Sequence, residues 1–231
     1  MKTLRLLSLL FFATLTTQLL AQEDDVEYRM ELGGAAGVNF SLTDVNSKWY
    51  GNTQIAGGAL ARFIINPRMA VKTSFTYGKL SGSTTDVKNF YPSKPGELGT
   101  ETLDFKADGD IYDLSAIYEL HFLPYGFVQG YQGFKRIVPY IQAGLGLSYG
   151  SAGKAFTANI PLGFGVKYKI APRLNLGFEW RMHLSLSDKL ENLEAPLGIK
   201  STGFKNKDHY SLTLLSITYD LAPRCPNCNK D

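Results

Sequence analysis

Between Arg173 and Ser187 the chain alternates so regularly that only one kind of backbone can use it. Leu174, Leu176, Phe178, Trp180, Met182, Leu184 and Leu186 fall on one parity, and Arg173, Asn175, Gly177, Glu179, Arg181, His183 and Ser185 on the other. A helix at 3.6 residues per turn would scatter these apolar groups around its circumference, whereas a strand collects them on one face. The segment is therefore a β-strand.

The same period recurs. Residues 158–170 set Ala158, Ile160, Leu162, Phe164, Val166, Tyr168 and Ile170 against a polar, glycine-rich parity, and residues 111–122 set Tyr112, Leu114, Ala116, Tyr118, Leu120 and Phe122 against Asp113, Ser115, Glu119 and His121. Weaker alternation covers 27–39, 53–65, 69–80 and 137–149. An eighth run, 209–221, changes phase near Leu214-Leu215, which predicts a β-bulge there. Each run covers roughly 11–14 residues, longer than the usual globular strand of about 5–6 and long enough for a tilted membrane strand of about 9–11.

The connections sort by length. Asn66-Pro67-Arg68 and Ala171-Pro172-Arg173 read as tight turns, while 40–52, 81–108 and 187–207 are long and polar. Transmembrane barrels have this asymmetry, with short periplasmic turns and long outer loops. The link at 123–136 departs from it, being long and aromatic on the side of the short turns. Together these features predict an all-β fold, an eight-stranded antiparallel transmembrane barrel over residues 22–221. A lipocalin-like barrel or a β-sandwich would show the same period, because parity does not say which face is inside. Aromatic residues near strand ends and glycines at Gly33, Gly37, Gly163, Gly165 and Gly177 favour apolar-out strands around a narrow, filled interior.

Composition enters here only to exclude. A mean hydropathy of −0.11 is too low for a helical membrane protein and is compatible with a barrel. Residues 1–21 read as a signal peptide: Lys2 and Arg5, an apolar run from Leu6 to Leu15, and a cut after Ala21. Without it, 22 of the 24 basic residues remain against 21 acidic ones, which gives no support to a nucleic-acid partner.

On the predicted interior parity lie Arg29, Glu31, Arg62, Lys72, Asp113, Glu119, Lys167, Glu179 and Arg181, with His121 beside them. An ion path or an acid–base pair is one reading. A mutually paired charge network that plugs the lumen is the better one, because eight strands leave room only for side chains and isolated buried charge is costly. His183, Ser185 and Asp188 are the weak candidates for a nucleophilic site at one rim, and no nucleophile–base–orienter geometry follows from their spacing. No enzyme and no cofactor is expected. Cys225 and Cys228 follow the last strand in a tail, 222–231, expected in the periplasm. No second ligand pair or βαβ context accompanies them, so a local disulfide fits better than zinc or redox catalysis.

Several segments together resemble the PorG-like outer-membrane barrels of Bacteroidota, which are associated with the type IX protein secretion system. They are Tyr28-x-x-Glu31-Leu32-Gly33-x-x-x-Gly37, Ile65-Asn66-Pro67-Arg68-x-Ala70, Leu120-His121-Phe122-Leu123-Pro124-Tyr125 and Pro139-Tyr140-x-x-Ala143-Gly144. The series continues with Pro161-Leu162-Gly163-Phe164-Gly165-Val166-Lys167-Tyr168, Leu174-Asn175-Leu176-Gly177-Phe178-Glu179-Trp180, Ser187-Asp188-x-Leu190 and Asp208-x-Tyr210-Ser211. The resemblance implies a component that anchors or stabilises a periplasmic ring of the PorK/PorN type at the outer membrane. Phe127, Tyr131 and Phe134 of the aromatic link would then be partner contacts, or else a loop dipping into lipid. The barrel pattern alone equally suits a small OmpA/OmpW-like porin or general surface protein.

Overall fold

The computed structural model describes residues 28–42, 49–83, 106–126, 133–186, 190 and 207–223. The predicted signal peptide, the Cys225/Cys228 tail, Phe127, Tyr131 and Asp188 lie outside them. Eight antiparallel strands close into one barrel in chain order: β1 (Tyr28–Leu42), β2 (Gln54–Asn66), β3 (Met69–Ser83), β4 (Lys106–His121), β5 (Ile137–Gly150), β6 (Ala155–Ala171), β7 (Leu174–Ser185) and β8 (His209–Pro223). β1 pairs with β8 from Tyr28↔Pro223 to Leu42↔His209, so no strand edge is left open. Among the described residues no helix is long and apolar enough to cross a membrane; the crossing elements are strands.

The ambiguity that parity leaves is resolved by exposure. Leu145 and Leu147 are 71% and 61% exposed, and Phe164, Phe178, Leu215 and Ile217 also face outward, while Glu31, Glu119, Lys72 and Arg181 are fully buried. A barrel with its large apolar groups outside and its charges inside is the inverse of a lipocalin, and it is a lipid-facing design.

The start of β1, the end of β8 and the tight turns gather at one end of the barrel (the turn end) and longer links join the strands at the other (the loop end). The Asn66 side chain accepts a hydrogen bond from the Arg68 amide at 2.8 Å, an Asx turn that explains the abrupt reversal at Asn66-Pro67-Arg68. Register shifts occur beside both Pro turns, between Ile64 and Asn66 and between Lys169 and Ala171. The bulge expected near Leu214-Leu215 is absent: β8 pairs in unbroken register with both neighbours there. What changes at that point is the inward face, from Tyr210, Leu212 and Leu214 to Ser216, Thr218 and Asp220. The apparent phase slip is a change in lumen chemistry along one regular strand.

The link after β1 is less polar in its packing than in its composition. Trp49 and Tyr50 fold back on the outer wall and bury Phe40, with ring centroids 5.9 and 4.5 Å from it, and Trp49 stacks on Trp180 at 6.4 Å.

Candidate functional site: a lumen sealed from both ends

Strand pairing decides which interior charges can meet. Glu31, Arg62 and Lys72 are direct neighbours across β1, β2 and β3. Glu119, Gln142 and Arg181 lie on another row, across β4, β5 and β7, with Gly163 of β6 between the last two. Side chains from opposite walls then close the gap. Arg62 donates from Nε to Glu119 Oε2 at 2.6 Å and from Nη2 to Glu119 Oε1 at 3.1 Å, while its Nη1 pairs with Glu31. Lys167 Nζ reaches Glu31 Oε1 at 2.6 Å, and Lys72 Nζ bridges Glu119 Oε1, at 3.0 Å, to Glu179. Arg181 joins through Nε, 3.4 Å from Glu179 Oε1, and donates from Nη1 to Ser74 Oγ at 3.0 Å. Each charge in this buried chain has an opposite partner, the condition under which burial of ions is tolerated. Tyr140 fills the space beside it and donates to Glu179 Oε2 at 3.2 Å. A Cβ at Gly165 would come within 2.5 Å of the Tyr140 ring, so the glycine is what admits that ring.

Two of the nine expected members stand apart. Arg29 is exposed at the turn-end rim, one residue from the start of β1; it lies opposite Ala222, whose φ of 56° breaks the pairing, and below the level at which the lumen begins. Asp113 is buried, but in a separate cluster nearer the loop end. Its carboxylate accepts from Ser115 at 2.5 Å, Asn159 at 2.8 Å and Tyr210 at 2.8 Å, and His183 Nδ1 lies 3.5 Å away. His183 stacks on Tyr210 at 4.5 Å. Ser185 instead lies beside Thr157 at 3.3 Å, so the structure does not bring the suggested His183–Ser185 pair together.

The floor of the lumen comes from a link that the alternation pattern leaves outside the barrel. The link after β4 turns under the barrel: the Tyr125 amide donates to Pro67 O at 2.9 Å, and Lys135 bridges back to Pro124 and Gly126. Tyr125 thereby enters the turn end, donating from its hydroxyl to Asn175 Oδ1 at 2.7 Å with Lys167 Nζ 4.2 Å from its ring centroid. Asn175 in turn donates to Asp220 at 2.6 Å, and Asp220 pairs with Lys169. Burial pushes the Tyr125 hydroxyl above its ordinary range, and the Glu31 and Asp220 carboxylates push the same way. Phe134 is half-buried and packs against Gly126, where a Cβ would come within 2.8 Å of its ring. The aromatic content of the link at 123–136 is the available signal, but nothing in its spacing says that the link folds inward.

The ceiling is apolar. Ala56, Leu80, Ile111, Tyr210, Leu212 and Leu214 form a buried cluster closed by Leu190 from the link after β7. Leu190 is held at both backbone groups: its amide donates to Asp208 Oδ2 at 2.8 Å and its carbonyl accepts from Gly153 at 3.2 Å. Among the described residues no group of three or more His, Cys, Asp or Glu side chains is arranged to hold a metal ion.

A family model for the outer membrane protein beta-barrel domain matches residues 7–208. The chain belongs to that family. Membership places this outer membrane protein beta-barrel in the outer membrane, in agreement with its lipid-facing wall. Solved structures similar to it include the N-terminal β-barrel domain of Pseudomonas aeruginosa OprF, at 12% identity over 85% of this chain and 100% of that one, with a TM-score of 0.43. Others are Neisserial surface protein A, at 14% over 86% and 100% with a TM-score of 0.43, and Ail of Yersinia pestis, at 12% over 84% and 97% with a TM-score of 0.42. No curated protein matches the sequence.

Proposed function

We propose that this outer-membrane barrel is a non-enzymatic, non-conducting anchor, and that it holds a periplasmic secretion ring of the type IX kind at its turn end. The observation that carries the anchor reading is the lumen itself: linked ion pairs and Tyr125 at one end, packed Leu and Ile side chains at the other. A path for solute would have to break both. The secretion role is carried by the ordered PorG-like motif series, and the folded link below the lumen offers a surface for PorK/PorN-like subunits around Phe134. Lipid is then the barrel's other partner, and no cofactor or nucleic acid is required.

Affinity purification from detergent-solubilised membranes tests the secretion role: ring subunits should come with the barrel, and deleting the gene should stop cargo export. Normal export in the deletion, with no ring subunits recovered, would leave a general surface barrel of the OmpA/OmpW kind. Planar-bilayer recording tests the anchor role, with no single-channel steps expected from the purified protein.

A further inference from the structure

The buried ion pairs in the turn half of the lumen join four bases, Arg62, Lys72, Lys167 and Arg181, to three carboxylates, Glu31, Glu119 and Glu179. The surplus charge falls on Arg181. Its carboxylate contact is Glu179, 3.4 Å from Nε and already paired with Lys72, whereas Arg62 meets both Glu31 and Glu119. Asp113, nearer the loop end, is occupied by Ser115, Asn159 and Tyr210. Within the Arg181 guanidinium, Nη1 donates to Ser74, while Nε and Nη2 are buried with no hydrogen-bond partner among the described residues. Gln142 repeats the pattern. Its Oε1 accepts from Lys72 Nζ at 2.8 Å, and its Nε2 is buried with no partner among the described residues.

Strand register brings these donors to either side of one residue. Gln142 of β5 and Arg181 of β7 both pair with Gly163 of β6, and Gly144 is the next inward position after Gln142 on β5. The wall between the two donors therefore carries no side chain. It could not accept one: a Cβ at Gly163 would come within 2.1 Å of Trp180 O, and one at Gly144 within 2.2 Å of Ala116 O. Buried N–H groups left unmade are costly, and a buried charge needs a counter-charge. A water would accept from two of these donors and leave the Arg181 charge uncompensated. An anion answers both demands, and eight strands leave room only for a small one. We propose that the lumen binds one small monovalent anion of the halide class, held between Arg181 and Gln142 against the inward face of Gly163. The ion is then a structural part of the seal, taken up as the barrel folds.

Anomalous diffraction from crystals of the intact protein refolded in bromide tests this. A bromine peak is expected within hydrogen-bonding distance of Arg181 Nη2 and Gln142 Nε2. Density there without an anomalous signal overturns the proposal and makes the position a hydration site. Unfolding in phospholipid bilayers gives a second readout. When bromide replaces gluconate mole for mole, the wild-type folding equilibrium constant should rise about tenfold for each tenfold rise in bromide above its Kd. Arg181→Met removes the surplus charge, and Gln142→Glu supplies a fixed carboxylate beside it, so neither variant should respond to bromide. Gln142→Glu should also be more stable than the wild type in gluconate, which a variant that merely disturbed the packing would not be. A wild type equally stable in the two salts, or a bromide response shared by both variants, overturns the proposal.

Discussion

The two halves of the lumen reach the same closed state by opposite means. In the turn half, Arg62, Lys72, Lys167, Glu31, Glu119 and Glu179 are held by directional contacts, and every member depends on its partners for a tolerable burial. In the loop half, Leu80, Ile111, Leu190, Leu212 and Leu214 exclude water by shape, and no single contact is indispensable. The Asp113–Tyr210 cluster lies between them, and Tyr210 belongs to both regimes, packing in the apolar cluster while its hydroxyl donates to Asp113. A charged seal punishes any unmatched change of sign, whereas an apolar seal punishes lost volume. That contrast can be broken experimentally.

The largest effect is expected at Glu119. Glu119→Leu should destabilise the barrel by about 3–5 kcal/mol, because Arg62 and Lys72 each lose a buried carboxylate. Adding Arg62→Met to it should recover much of the loss, since Glu31 and Lys167 remain paired. Urea unfolding in phospholipid bilayers measures both, and a cost below about 1 kcal/mol for the single variant would show that the charges are not tightly coupled. Next is Leu212, where truncation to Ala should cost about 2–4 kcal/mol by leaving a cavity. Leu212→Met, which conserves volume, should cost less than about 1.5 kcal/mol. If the Met variant were as damaging as the Ala variant, the apolar half would not be sealed by packing alone. A smaller effect, about 1–2 kcal/mol, is expected from Asp208→Ala, which removes the acceptor that holds the Leu190 amide. A Leu190→Cys thiol should resist a membrane-impermeant maleimide when Asp208 is present and react when it is not.

Alternation made the barrel legible because lipid outside and side-chain packing inside impose a strict period of two on every spanning residue. The charge network was legible for the same reason: Glu31, Arg62, Lys72, Glu119, Lys167, Glu179 and Arg181 all fall on the inward parity. Parity carries no information about height along the barrel, so it could not separate Asp113 from that network. It fails also where the lumen ends, and Arg29, on the expected parity, sits outside. Leu212 and Leu214 broke the polar-inside rule and looked like a bulge, because only the packed structure shows an apolar ceiling that they complete. The folding of Trp49-Tyr50 onto the wall and of Tyr125 into the floor depends on contacts between links distant in sequence, such as Pro67 with Tyr125. Local pattern does not report those.

The smallest effect concerns the floor, and pH makes it separable. Tyr125→Phe keeps the ring under Lys167 and removes only the hydroxyl that donates to Asn175. At neutral pH the wild type should be more stable than the variant by about 1 kcal/mol, the net worth of one hydrogen bond. The folded state raises the pKa of Tyr125, so it favours the protonated hydroxyl. Its contribution is therefore complete below the unfolded value of about 10 and falls as pH rises above it, where the unfolded chain gains by releasing the proton. The gap between wild type and Tyr125→Phe should accordingly be flat from neutral pH to about 9 and close above about 10. A gap that stayed constant through that range would place the hydroxyl in water and leave the turn half of the lumen open beneath its ion pairs.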